Sequence, residues 1–153
     1  LRLELAHFTG VLHQSVVDFI LGSEWERLCD TVDKAQTLEA LHSAQDAFLF
    51  NSTQKCLVAS DKLWALLSTR IKTMLNIVLQ FCHLGQELIH TKDITSAFVN
   101  NCSLSFEKIK LEFEENRNFL LTVLNSKVRI GGTPQLVDFL LRLDFNQFYS
   151  SQP

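Results

Sequence analysis

At 153 residues, 46% of them hydrophobic and 20% charged, the chain is long enough to bury one core, and a domain of this size hides about 70% of its unfolded surface. Fourteen basic against 17 acidic residues leave a net charge of −3, which gives no broad attraction to a phosphate backbone or an anionic bilayer, so no nucleic acid and no membrane are expected as partners. Five glycines and two prolines are too few for the turns of a many-stranded sheet and favour a few long helices.

Leu1, Leu5, Phe8, Leu12, Val16, Phe19 and Ile20 recur at helical spacing, opposite Arg2, Glu4 and Asp18, and predict a first amphipathic helix. Ser23-Glu24-Trp25-Glu26 after Gly22 reads as a capping box, where the helix kinks or restarts before running to about Asp30. Thr37 caps a second helix, in which Leu38, Leu41, Gln45, Phe48 and Leu49 share a face and which persists to about Leu57. Ser60 is the next plausible cap. Beyond it Leu63, Leu67, Ile71, Met74, Leu75, Val78 and Cys82 keep the helical period in a third, central helix with Gly85 near its end. After the polar connection His90 to Asp93, a fourth long helix buries Phe98, Cys102, Ile109, Phe113, Leu120 and Val123. Gly131-Gly132-Thr133-Pro134 turns the chain, and a short fifth helix follows over Gln135 to Leu143. The fold class is therefore all-α, a helical bundle of about five helices.

Even the apolar stretch from Trp64 to Leu84 is interrupted by Arg70, Lys72 and Gln80, short of the ~18 residues a membrane span needs. Cys29, Cys56, Cys82 and Cys102 form no short pair, so neither a zinc ribbon nor a redox dithiol is written here, and they are expected as reduced residues of a helical core. The chain begins at Leu1, inside an apolar pattern already in phase, and is read as a fragment of a longer protein.

The sharpest enzymatic pattern is Glu-x-x-His, present at Glu39/His42 and Glu87/His90, because such pairs hold two metal ions in some helical bundles. Glu39 lies off the apolar stripe, His90 falls at a helix end, and no further inward glutamates complete the set, so no metal and no cofactor are expected. Cys82 and His83 are neighbours that point apart on a helix, and Gly131-Gly132-Thr133 lacks the strand and lysine of a phosphate loop. The charges Glu107, Lys108, Lys110, Glu112, Glu114, Glu115 and Arg117 read as a solvated face of mixed sign or the rim of an interface. Phe145, Phe148 and Tyr149 either plug the end of the bundle or belong to a partner surface.

The run Phe139-Leu140-Leu141-Arg142-Leu143-Asp144-Phe145-Asn146-Gln147-Phe148-Tyr149 resembles the ending shared by gamma-tubulin complex components, in which Arg-Leu-Asp-Phe-Asn precedes paired aromatics. Trp25 after a long apolar helix, the Leu38 to Leu49 helix containing His42, and Lys55-Cys56-Leu57 are similar to that family in the same order. The resemblance implies that residues 1–153 form the distal part of a larger helical domain, a non-catalytic component that binds gamma-tubulin and positions it for microtubule nucleation beside other gamma-tubulin complex components. It also implies a cytoplasmic, cytoskeletal location at a microtubule-organising centre, such as a centrosome or spindle pole. Lys127, Arg129 and Gln135, around the Gly131-Gly132 turn, are the contact candidates, because positive side chains there would meet the acidic surface typical of tubulins. The alternatives are a di-metal carboxylate helical-bundle enzyme and a helical adaptor for an unrelated partner.

Overall fold

The computed structural model describes residues 1–53, 62–91, 95–131, 134–145 and 149, and every regular element among them is helical. These are α1 (Arg2–Val17), a π-helical segment (Asp18–Glu24), α2 (Trp25–Asp33), α3 (Leu38–Thr53), α4 (Lys62–His90), α5 (Ser96–Arg129) and α6 (Pro134–Leu143). The protein is all-α, and the expected first helix to about Asp30 corresponds to α1, the π-helical segment and α2 running on without a break. Ser60, Leu57, Cys56 and Phe148 lie outside the described residues. The chain divides into two compact units, Phe8–Ser68 and the combination of Leu1–His7 with Thr69–Pro153.

In the Phe8–Ser68 unit, of the kink or restart expected at Gly22 the restart does not occur. Glu24 keeps right-handed helical angles and makes no side-chain cap, while the Ser23 hydroxyl donates back to the Phe19 carbonyl at 2.9 Å. Wider π-helical winding carries the chain through the apparent stop, as π-bulges do inside α-helices. Thr37 does cap α3, its hydroxyl accepting from the Ala40 amide at 3.2 Å.

The buried face of α3 differs from the one its leucines suggest. Ala44 is buried and Ala40 and Phe48 are half-buried, whereas Leu38, Leu41, Gln45 and Leu49 are exposed. Small side chains let α2 and α3 approach closely, and Trp25 meets Phe48 edge-on at 6.2 Å between ring centroids. Apolar residues lie around most of α3, so periodicity alone selects no single face.

In the other unit, α4 and α5 form an antiparallel pair. Arg70 of α4 bonds Asn116 of α5 at 3.1 Å, and further along α4 Phe81 packs edge-on against Phe106 at 5.5 Å. Partners thus recede along α5 as they advance along α4. Ile71, Met74 and Ile77 meet a core to which α5 contributes Cys102, Ile109, Phe113, Leu120, Leu121 and Leu124. Ile77, outside the expected stripe, is buried, whereas Cys82 is exposed, as is Cys29; Cys102 alone of the described cysteines is buried.

The ends of the long helices are set by local hydrogen bonds. Gly85 lies within the last two turns of α4, which ends at His90 as expected, and there the Thr91 amide and hydroxyl both donate to the Glu87 carbonyl at 3.0 and 2.7 Å. Thr95 starts α5 from an extended conformation and accepts from the Phe98 amide at 3.2 Å. Gly131 has φ +111°, a left-handed angle that glycine adopts without strain, and it turns the chain towards α6. α6 buries Leu136, Phe139, Leu140 and Leu143 at the spacing of a single helical stripe and packs them on α5.

Leu120→Ala should cost about 2–5 kcal/mol, because it empties a fully enclosed site, whereas Leu111→Ala on the exposed side of the same helix should stay within about 0.5 kcal/mol of the parent. Urea denaturation of the two variants followed by far-UV circular dichroism measures the contrast.

Candidate interaction site

The polar centre of the Leu1–His7 and Thr69–Pro153 unit is Arg117. It stands in phase with Phe113, Leu120 and Leu124 on α5 and is only 7% exposed. Its guanidinium donates to Glu4 of α1 at 2.9 Å and to Asn118 Oδ1 through Nε and Nη2 at 3.3 and 3.2 Å. Tyr149 lays its ring over the same guanidinium, with 4.1 Å from Cζ to the ring centroid.

Tyr149 is held by Asp144. This buried carboxylate accepts from the Tyr149 amide at 2.8 Å, and the Asp144 amide donates to the Leu140 carbonyl at 2.9 Å. His7 adds a tie from α1, its Nε2 lying 3.3 Å from the Leu143 carbonyl oxygen. One side chain therefore gathers the start of α1, the middle of α5 and the residue at 149. A second cation works similarly along α5: the Arg70 guanidinium covers Phe119 at 4.3 Å, and Asn116 donates to the Glu112 carbonyl at 2.7 Å.

Arg117 corrects the reading of the α5 charges as a wholly solvated face. The signal was present, since Arg117 lies four residues after Phe113 and three before Leu120. Of the two roles open to the aromatic tail, Tyr149 takes packing and Phe145 is exposed.

Lys127 and Arg129 sit in the last turn of α5, both exposed, where positive charge complements the helix dipole. Neither is ion-paired among the described residues. Gln135 falls in the first turn of α6, with its side chain outside the described part. Lys127 and Arg129 thus share one helix end, with the Gly131 turn directly after it, while Gln135 opens the next helix.

Glu39, His42, Glu87 and His90 are exposed, and among the described residues no three His, Cys, Asp or Glu side chains are placed to share a metal ion. Glu87 faces His83 at 3.9 Å along the surface of α4. No helix among the described residues is long and apolar enough to cross a membrane.

Residues 1–149 match the family model described as Gamma tubulin complex component C-terminal. Gamma-tubulin complex component 5 of Macaca fascicularis is 28% identical over 143 residues, which cover 94% of this chain and 18% of that protein. The Mus musculus protein of the same name is 27% identical over 143 residues, 94% of this chain and 13% of its own length. The chain therefore spans less than a fifth of either relative. No solved structure matches it.

Two outcomes test the Arg117 cluster. Glu4→Gln should destabilise the protein by about 1–3 kcal/mol by leaving a buried guanidinium short of its counter-charge, and adding Arg117→Met should restore part of that loss; a double-mutant cycle in urea measures the coupling. Burial raises the Tyr149 phenol above its usual pKa of 10.0, and the Glu4 carboxylate adds to the rise while Arg117 opposes it. A raised acid favours the folded state below pH 10, and that contribution is lost as pH climbs through the folded value. Tyr149 is the chain's one tyrosine, so tyrosinate absorbance should show a midpoint above 10.0 in the native protein that returns towards 10.0 in denaturant.

Proposed function

The chain belongs to the gamma tubulin complex component family, and on that premise we propose that it is a non-catalytic module that binds gamma-tubulin and holds it in position for microtubule nucleation. The observation that carries this reading is the family match, which runs through residues 1–149 and so includes every described helix. The chain forms the distal part of a larger helical domain, works beside other gamma-tubulin complex components, and acts at a cytoplasmic microtubule-organising centre. Within the family, the stretches Leu1 to Phe8 and Asp138 to Arg142 read most like the sixth component, while the matched relatives carry the name of the fifth; the family is common to both.

The physical role is to place a partner rather than to react with it. The antiparallel α4–α5 pair supplies a stiff support, with Arg117 fixing the neighbouring segments on α5. At the end of that support Lys127 and Arg129 present two exposed cations, which suit an acidic partner surface, and Gln135 opens the helix that follows the turn. GTP turnover remains with the tubulin.

Titration of purified gamma-tubulin with the chain should give saturable binding. Lys127→Glu with Arg129→Glu should weaken it at least about tenfold and flatten its salt dependence, without loss of helical circular dichroism. A folded chain that fails to bind removes the partner, and unchanged affinity in the charge-reversed variant moves the contact away from the end of α5.

A further inference from the structure

Of the five side chains expected on the buried face of α3, all but Phe48 are exposed to solvent. Leu38, Leu41, Gln45 and Leu49 lie along one stripe, and all four are exposed, Leu38 by 71% and Leu49 by 52%. The contact with α2 uses Ala44, Ala40 and Phe48 instead. Isolated surface leucines are ordinary, but here Leu38, Leu41 and Leu49, with Gln45 between the last two, line one stripe about 17 Å long.

The charge beside this strip is one-sided. Glu39 and Asp46 stand next to it, both exposed, with His42 between them. The Phe8–Ser68 unit carries eight acidic and four basic residues, whereas the rest of the chain carries nine and ten. The Phe8–Ser68 unit therefore carries a net charge of −4 and the rest of the chain +1.

We propose that the Leu38–Leu41–Leu49 face of α3 is a docking surface for a basic amphipathic helix. The three leucines take the apolar side of that helix, and Glu39 and Asp46 meet the lysines or arginines that border it. A second copy of this chain is the poorer occupant, because pairing two such faces brings four carboxylates together. The site is independent of the gamma-tubulin reading, since Lys127 and Arg129 belong to the other unit.

The test is a titration of the isotope-labelled 153-residue chain with two helical model peptides of identical leucine face, one with lysine and one with glutamate on the polar side. The leucine–lysine peptide should shift the amides of residues 38–50, lose affinity as salt is raised, and bind at least about tenfold tighter than the leucine–glutamate peptide. Leu41→Ser with Leu49→Ser, both at exposed positions, should abolish the response while circular dichroism stays unchanged. Glu39→Lys with Asp46→Lys should invert the preference between the peptides. Equal binding of both peptides, no binding of either, or shifts confined to other helices overturns the proposal. Self-association that sedimentation detects and Leu41→Ser removes also overturns it, in favour of a second copy.

Discussion

A guanidinium inside a helical core costs too much free energy to persist unless its charge and donors are met, and Arg117 is such a group. Glu4 supplies the opposite charge at 2.9 Å, Asn118 accepts two further bonds, and Tyr149 covers the flat face. Glu4 lies 113 residues from Arg117 and Tyr149 beyond the last helix, so satisfying one side chain fixes both the start of α1 and Tyr149 against α5. Planar geometry suits arginine to this task, since it can donate in plane and stack out of plane at once.

The rest of that unit is arranged around the helix that carries Arg117. α5 receives α4 along one antiparallel seam and α6 along another, with leucine and phenylalanine filling the space between. Two cation–aromatic contacts, Arg70 on Phe119 and Arg117 on Tyr149, place charge inside this assembly without leaving it unsolvated. Lys127 and Arg129, beyond the packed section, stay exposed to solvent. Such a division, with inner cations committed to structure and outer ones available to a partner, suits a protein whose work is holding another in place.

The two units also differ in charge, which the whole-chain value conceals. Phe8–Ser68 is acidic and packs α2 against α3 through alanines, leaving leucines outside; the other unit is nearly balanced and packs through large side chains. A contact built on small residues brings helices close, but it releases the large apolar residues of the same helix for other uses.

Several elements were legible because their causes are local. Thr37 capping α3, the turn at Gly131 and the short helix after it follow from hydrogen-bond chemistry, backbone angles and composition within a few residues. The all-α class and the family likeness of the tail were written there too. Where local signals competed, the outcome came from packing: Gly22-Ser23 read as a kink or a restart, and π-helical winding carries the chain through it without a new cap. The sequence by itself determined which segments are helical and much of the apolar core of α4 and α5, among it Leu67, Ile71, Met74, Cys102, Ile109, Phe113 and Leu120, because period and composition agree there. Only the tertiary structure decided which face of α3 is buried and that Arg117 is a structural residue, because each depends on the segment that arrives to cover it.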